Sequence, residues 1–368
     1  MMKSNTLVYA ILAASASAGC PFGFGNSEDK PQVSQPRVEQ ILDIDYPSEY
    51  FTCPNNGAVA TTTDFTTQDY ADIVDSVIEQ YEALSSTVSA NTNERAKYAG
   101  CLVRLVGHDF MDFRVSGTNR GGADGCLNFN DLDNLGLKEC IQNFDMNAVY
   151  TQHCTNVSLA DFFIIAGEAV MGRTASDYNS ENKYAMGTTL AKFAARFQYG
   201  RTTAETCSYN TGLMPNPVDG CDGLSTVFED NVYASTEDPW KYTAAISGAH
   251  TLGSANLITS GFEGFWSSAE EQGKFNNDYY KSLLLKGWMP QMAVNGVAGK
   301  NQWQRADIST LPHKEMMLDS DMCLAYQNNV QFETCKSAIP NGQSTQSCDQ
   351  YRNDQVPLLA ENGNCCAW

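Results

Sequence analysis

The apolar residues of this chain recur at the spacing of α-helices. Residues 67–89 predict an amphipathic helix whose buried face holds Ile73, Val77, Ile78 and Tyr81. The stretch 158–172, SLADFFIIAGEAVMG, is apolar nearly all round and predicts a buried helix. Further helices are predicted from about residue 134, at 224–233 and at 277–286. Strand-type alternation is scarce, so we predict a mainly α fold with long connecting loops.

One more helix, predicted from near Asn93 with Glu94 in its first turn, carries an unusual pair of side chains. Arg104 and His108 are four residues apart, so they leave the same helix face one turn apart. The imidazole can exchange a proton near neutral pH, and the guanidinium can stabilise negative charge that develops beside it. Taken alone, such a pair is more often structural than catalytic.

The length and charge of the chain limit its expected size class and the kinds of molecule that it can bind. The chain has 368 residues, more than a single hydrophobic core usually serves, so one large lobed domain or two lobes are expected. Its formal net charge is −20, and no basic stripe interrupts it. Nucleic acids and anionic membranes are bound through clusters of Lys and Arg, so the charge argues against both. A cationic or a small neutral partner fits better.

The N-terminus resembles a secretory signal over residues 1–19. Lys3 precedes the apolar run LVYAILAA, and small residues follow, with cleavage expected near Ala18. The run is too short to span a bilayer, and no later segment qualifies for membrane insertion. Thirteen cysteines agree with export and predict disulfide bonds, whose pairing the sequence leaves open. We therefore expect secretion, an extended segment at 20–64 and a Cys-containing tail at 338–368.

A second histidine follows small residues. His250 comes after Ser247 and Gly248, which let a bulky flat group approach the backbone closely. A lone histidine in such a stretch is more often a core residue than a ligand. Together, however, RLVGHD at 104–109 and SGAHTLG at 247–253 resemble the distal and proximal helix motifs of the plant, fungal and bacterial haem peroxidase superfamily.

Further landmarks follow in the order found in that family. They are GGADG at 121–125, NLGL at 134–137, SLAD at 158–161, YGR at 199–201, SGFEGFW at 260–266 and MMLDSD at 316–321. The last two are similar to the ascorbate and cytochrome c peroxidases. The resemblance implies a two-lobed haem peroxidase domain over residues 65–337, with haem b between distal and proximal helices. Its distal half would end near residue 195.

On the proximal side, the resemblance makes His250 the fifth ligand of the haem iron, with Ser247 beside the haem. Asp321 would accept the other ring N–H and make the imidazole more electron-donating. Trp266 stands where the ascorbate and cytochrome c branch has its proximal Trp, and it could carry an oxidising equivalent as a radical. Two plainer interpretations stay open: Trp266 as core packing, and Asp321 as a helix N-cap.

On the distal side, the resemblance gives His108 the role of moving a proton between the two oxygens of hydrogen peroxide. Arg104 would stabilise the charge on the departing oxygen, and Asn134 would hold the tautomer of His108. An oxyferryl intermediate would result. Asn134 could instead only cap its helix, given the neighbouring Gly136.

Two departures from the family pattern limit what the resemblance implies. Gly107 stands where the family has Phe or Trp over the distal haem face, so the pocket should be more open. A distal Ca²⁺ is expected on Asp109, Gly122 and Asp124, but Cys126 replaces a serine ligand, and a disulfide-bonded cysteine would coordinate calcium poorly.

The leading hypothesis is a secreted haem peroxidase that reduces hydrogen peroxide and oxidises small phenolic-type donors. One alternative is a haem-binding or haem-less structural component of an extracellular covering that has lost turnover. Another is a peroxidase that takes electrons from a cationic protein donor through Trp266. The joint presence of the two histidines and their partners favours an enzyme over a structural protein.

Overall fold

The computed structural model describes most of the region between residues 47 and 325. The described residues are 47–54, 65–88, 92–118, 120–176, 186–204, 207, 212–291, 294, 300–305 and 315–325. The predicted signal segment 1–19, most of the segment 20–64 and the tail 338–368 lie outside the described residues. No helix within the described part is long and apolar enough to span a membrane.

Helices dominate this part of the chain, which confirms the predicted fold class. They are α1 (Thr67–Ala83), α2 (Glu94–Met111), α3 (Leu137–Asn143), α4 (Met146–His153), α5 (Leu159–Ser176), α6 (Met186–Ala194), α7 (Gly220–Leu224), α8 (Pro239–Ser247), α9 (Leu257–Ser260), α10 (Asp278–Leu285) and α11 (Asp319–Met322). Short 3₁₀ helices occur at Pro47–Glu49, Leu132–Asn134 and Gly248–Thr251.

The first two long helices begin at capping residues. Thr66 and Asp69 form a reciprocal capping box at the start of α1, because each side chain accepts a hydrogen bond from the other residue's backbone N–H. Asn93 caps α2 by accepting from the N–H of Ala96 at 2.8 Å, which confirms the predicted start. The caps fix the register of α2 and therefore the direction in which its functional side chains leave the helix.

The core of the distal half is built around α5. This helix is buried over most of its length and packs against α1, α2 and α6. Phe162 and Phe163 are almost completely buried, and burial of such a side chain contributes roughly 1.5–3 kcal/mol. A Cβ atom at Gly167 would lie 2.8 Å from Cγ2 of Val106, so this glycine lets α5 approach α2 closely.

The second half contains shorter elements and a small antiparallel sheet of β1 (Trp288–Gln291), β2 (Gln302–Arg305) and β3 (Met316–Met317), in that order. The sequence pattern missed this sheet and placed loops around its strands. The buried rings of Trp288 and Trp303 anchor it. Because β3 leads directly into α11, the sheet fixes where that short helix lies.

Two further elements differ from the helices predicted. The helix expected over 224–233 is divided, since α7 ends at Leu224 and a π-helix runs over Ser225–Val232. The helix expected from about residue 134 begins only at Leu137, after the 3₁₀ helix. Gly136, at a φ of 86°, separates the two because its left-handed backbone ends one and starts the other.

Disulfides join distant parts of the described chain. The pairs are Cys53–Cys154, Cys101–Cys140, Cys126–Cys207 and Cys221–Cys323. The first fastens the segment before α1 to the end of α4. The last links α7 to the end of α11. Cross-links of this span stabilise the fold by restricting the unfolded chain.

Candidate active site

The distal histidine is oriented by an amide. His108, near the end of α2, has Nδ1 2.9 Å from Oδ1 of Asn134. The amide nitrogen of Asn134 donates to the carbonyl of Asn128 at 3.0 Å, which fixes which amide atom faces the imidazole. Nδ1 must therefore carry the proton and donate it, and the lone pair lies on Nε2. Asn134 does not cap α3, because Gly136 occupies that position.

The surroundings of His108 favour its neutral form. Burial, and then the positive charge of Arg104, lower the pKa of His108 to about 3, against an ordinary value of 6.5. The hydrogen bond between His108 and Asn134 raises the pKa of His108, but its effect is smaller than the two that lower it. An imidazole that is neutral, with Nε2 unprotonated, can accept a proton from a bound molecule.

Arg104 has a role that the sequence did not predict. Its two terminal nitrogens donate to the carbonyls of Leu135 at 2.8 Å and Asp133 at 2.9 Å, on either side of Asn134. The guanidinium thus ties the 3₁₀ segment to α2 and positions the amide that holds His108. Burial lowers the pKa of Arg104 to about 10, so the group stays cationic at neutral pH.

The space beside Gly107 is open. A Cβ atom at this position would meet only the terminal methyl of Met111, at 3.7 Å. The expectation that the missing ring leaves room on the distal side therefore has a geometric counterpart.

The proximal histidine lies just past a helix end. His250 is in the 3₁₀ turn Gly248–Thr251, directly after α8, rather than on the helix as predicted. The hydroxyl of Ser247 donates to the carbonyl of Thr243 at 2.9 Å, so its hydrogen bond is made within α8. A Cβ atom at Gly248 would lie 2.5 Å from the hydroxyl oxygen of Tyr280, so only a glycine fits at this position two residues before His250.

A buried carboxylate holds His250. Its Nδ1 donates to Oδ1 of Asp321 at 2.7 Å. Burial alone would raise the pKa of Asp321, but the charge and hydrogen bond of His250, with further donors, hold it below its ordinary value. Asp321 also accepts from the N–H of Leu318 at 2.7 Å near the start of α11. The interpretation of Asp321 as the N-cap is therefore wrong, because Leu318 occupies that position and Asp321 lies within the first turn, where its side chain accepts from the capping residue and from His250.

Trp266 lies against the proximal histidine. The two rings stack with centroids 4.3 Å apart and planes 15° from parallel. The indole N–H donates to Oδ2 of Asp321 at 2.7 Å. The sequence argument brought His250, Trp266 and Asp321 to one side of the site, and the structure joins all three through the carboxylate.

The two histidines each leave one ring nitrogen without a protein partner among the described residues. The charge of His250 contributes to the lowered pKa of His108, so the two rings lie within electrostatic range of each other. Each uses Nδ1 for its protein partner, and no described residue hydrogen-bonds either Nε2. The side chain of His250 is 37% exposed although Asp321 beside it is buried, so part of the imidazole is accessible from outside the protein. A haem iron takes such a nitrogen as its axial ligand.

The predicted calcium ligands Asp109 and Gly122 are engaged in hydrogen bonds in the structure. The two carboxylate oxygens of Asp109 each accept a backbone N–H, from Gly125 and Cys126, both at 3.1 Å. Burial, and then the charges of Asp124 and Asp112, raise the pKa of Asp109. Gly122 donates its N–H to Asp112. No group of His, Cys, Asp or Glu side chains among the described residues could hold a metal ion, so calcium stays a prediction.

Sequence reasoning missed Asp112, which joins this acidic cluster, and Tyr279, which reaches the proximal carboxylate. The hydroxyl of Tyr279 donates to Oδ1 of Asp321 at 2.8 Å. The sequence offered only a weak signal for Tyr279. Two adjacent tyrosines lie in a short amphipathic helix, and the hydroxyl of a tyrosine that is buried there needs a hydrogen-bond partner.

The fold is mainly helical, and one histidine is held by an amide and the other by a carboxylate, as the resemblance to the haem peroxidases implies. The sequence model of the peroxidase family matches residues 84–337. The chain therefore belongs to the peroxidase family, a family of haem-dependent enzymes, in agreement with the resemblance found in its motifs.

Several curated relatives carry peroxidase names. L-ascorbate peroxidase 5, peroxisomal, of Arabidopsis thaliana is 30% identical over 52% of this chain and 60% of its own length. A putative heme-binding peroxidase of Candida albicans is 25% identical over 66% of this chain and 74% of its own. The mitochondrial cytochrome c peroxidase of Yarrowia lipolytica is 31% identical over 34% and 32%. The alignment thus spans less than two thirds of the plant relative's length.

Proposed function

We propose that this protein reduces hydrogen peroxide and oxidises small phenolic-type donors with haem b as its cofactor. The observation that carries the proposal is that the two imidazoles each have Nδ1 held by a protein partner, while neither Nε2 has a partner among the described residues. A structural protein would not need this arrangement, because it leaves the Nε2 atoms of His108 and His250 without protein partners among the described residues.

The residues on either side of the cleft have different tasks. Nε2 of His250 would bind the iron, and haem, when bound, supplies the redox chemistry for cleavage of the O–O bond. Nε2 of His108 would accept a proton from one oxygen of hydrogen peroxide and return it to the other, which leaves as water. The cation of Arg104 would favour the separation of negative charge on that oxygen.

The open space at Gly107 supports a small organic donor. A side chain is absent at this position and a Cβ atom would meet only Met111, which supports room for an aromatic molecule on the distal side. The net charge of −20 disfavours anionic donors and leaves uncharged phenols acceptable. A phenol also gives up one electron together with one proton, which suits a site that handles protons through an imidazole.

A protein donor is a second candidate because of the stacked rings of His250 and Trp266. An electron from a cationic protein docked on the acidic surface could pass through the indole. Trp266→Phe separates the two donors. If oxidation of phenols survives while turnover with a cationic cytochrome collapses, the indole route is supported. Turnover that is unchanged from the wild type with both donors would exclude it.

We also propose that the protein is secreted. Disulfide bonds among the described residues agree with an oxidising compartment. The residues Asn156-Val157-Ser158 form an acceptor sequence for N-glycosylation, and Asn156 is exposed. Expression of the full chain in a secreting eukaryotic host tests this. Processed, glycosylated protein in the medium would support secretion, and protein retained in the cell with an uncleaved N-terminus would contradict it.

Calcium on the distal side is the least supported part of the proposal. Its test is removal of the ion with a chelator, followed by metal analysis and thermal unfolding. Bound calcium whose removal lowers the unfolding temperature would support the site. Metal-free protein of unchanged stability would exclude it.

The function itself is tested by steady-state oxidation of a phenol with hydrogen peroxide. The haem-loaded protein should turn over, and the haem-free protein and a His250→Ala variant should not. Haem that binds without any turnover would favour the alternative of a haem-binding structural component.

A further inference from the structure

The proximal carboxylate is shared by more donors than the histidine alone. Oδ1 of Asp321 accepts from Nδ1 of His250 at 2.7 Å and from the hydroxyl of Tyr279 at 2.8 Å. Oδ2 accepts from the indole of Trp266 and the N–H of Leu318, both at 2.7 Å. Each oxygen therefore has two donors, and His250 competes with Tyr279 for the same one.

Tyr279 is held in place to make this bond. Its side chain is 0% exposed, and its ring lies edge-on to His250 with centroids 5.9 Å apart and planes at 77°. It also lies edge-on to Tyr280, whose hydroxyl donates to the carbonyl of Ala244 and so cannot turn towards the carboxylate. The Tyr279 hydroxyl, which is buried, is fully committed to Asp321.

The competition has a chemical consequence. The more donors a carboxylate satisfies, the less basic it is, and the less it draws the proton of a histidine towards itself. Burial first, and then the charge of Asp321, raise the pKa of Tyr279, so the phenol stays protonated and remains a donor. A weaker pull on the Nδ1 proton makes His250 less electron-donating at Nε2.

We infer that Tyr279 is a positioning residue that sets the donor strength of His250 by sharing Oδ1 of Asp321 with it. This inference rests on the proposed function in so far as His250 is the iron ligand. Tyr279 lowers the electron donation of the imidazole, which favours the ferrous over the ferric form of a bound haem iron.

The test is Tyr279→Phe, which removes one hydroxyl and keeps the ring. In the haem-loaded protein, the ferric/ferrous midpoint potential should shift to more negative values. The iron–histidine stretching frequency in resonance Raman spectra of the ferrous form should rise. Tyr280→Phe is the matched control, because the hydroxyl it removes donates to the carbonyl of Ala244 and not to Asp321, and it should shift both readings much less than Tyr279→Phe does.

A second variant guards against a folding defect in the first. Placing 3-fluorotyrosine at position 279 keeps the hydroxyl and makes it more acidic, so it is a stronger donor. The potential should then shift in the positive direction, opposite to Tyr279→Phe. Equal readings for Tyr279→Phe and Tyr280→Phe, or shifts of the same sign for both changes at position 279, would overturn the inference.

The failure of the proposed function would be visible separately. If the wild-type protein shows no Soret band, His250 does not serve haem, and the inference is then decided by side-chain NMR of the haem-free protein. There, Tyr279→Phe should move the Nδ1 proton of His250 downfield because its bond to Asp321 strengthens, and Tyr280→Phe should not. An unmoved signal would contradict the role of Tyr279.

Discussion

The distal and proximal histidines are held through the same ring nitrogen by partners of different charge. Nδ1 of His108 meets a neutral amide, whereas Nδ1 of His250 meets a carboxylate. An amide fixes the tautomer and leaves the imidazole free to take up a proton at Nε2. A carboxylate makes the imidazole a stronger donor to a metal. Under the proposed function, the charge of the partner suits one ring to proton transfer and the other to coordination.

The two halves also treat buried carboxyl groups in opposite ways. On the distal side, Glu168 in α5 has only the hydroxyl of Tyr70 as a partner, at 2.7 Å, and burial raises its pKa to about 8. On the proximal side, Asp321 has several donors and its pKa is lowered. Burial is common to both, so the number and charge of the donors decide which group is ionised.

The largest expected effect concerns the pH dependence of stability on the distal side. Glu168 has an ordinary pKa of 4.5 and a folded-state pKa of about 8. Its contribution to stability is therefore complete below pH 4.5 and is lost as pH rises to 8, by on the order of 4 kcal/mol. Glu168→Gln should remove this part of the decline, as measured by denaturant unfolding across that range.

The control for this experiment is Glu79→Gln, which removes an exposed carboxyl from α1. It should leave the decline in place. A Glu168→Gln protein whose stability falls with pH as steeply as the wild type would contradict the assignment of a neutral buried acid.

The second-largest effect is expected when Asp321, the carboxylate that holds His250, is replaced. Asp321→Asn should destabilise the protein by about 3 kcal/mol or more, because an amide nitrogen cannot accept from the donors that now share the carboxylate. Asn134→Ala on the distal side should cost less, about 1 kcal/mol, since it loses only its bonds to His108 and Asn128. Equilibrium denaturation compares the two. A larger loss for Asn134→Ala would reverse the comparison.

The smallest effect concerns the open distal face. Gly107→Phe should raise the KM for a bulky phenol such as a naphthol relative to phenol itself, by roughly tenfold, because the ring fills the space beside Met111. Gly187→Phe in α6, where a Cβ atom meets nothing within 4 Å, is the control and should not change that ratio. Unchanged discrimination in Gly107→Phe would place the donor elsewhere.

The sequence was sufficient for those parts of the molecule that depend on local pattern. The helical spacing predicted α1, α2 and α5, and the motifs around Arg104 and His250 gave the family. Residues whose role depends on partners far away in the chain were not predictable. Tyr279 reaches a carboxylate 42 residues later, and Arg104 binds carbonyls about 30 residues away.

The elements that sequence reasoning missed have the same cause. The strands β1–β3 are only two to four residues long, too short for an alternating pattern to be recognised. The turn that carries His250 ends a helix because Ser247 bonds back to Thr243 and Gly248 packs against Tyr280, a contact from α10. Such packing is set by the tertiary fold rather than by the residues next to the histidine.

The most direct test of the division between the two histidines is the absorption spectrum of the haem-loaded protein before and after an equimolar amount of hydrogen peroxide. The wild type should show a ferric Soret band that converts to a distinct oxidised spectrum and returns with added phenol. His108→Leu should bind haem with the same affinity and react with peroxide about 10²–10⁴-fold more slowly. Loss of haem binding in His108→Leu, or an undiminished reaction with peroxide, would contradict the assignment of proton transfer to His108 and coordination to His250.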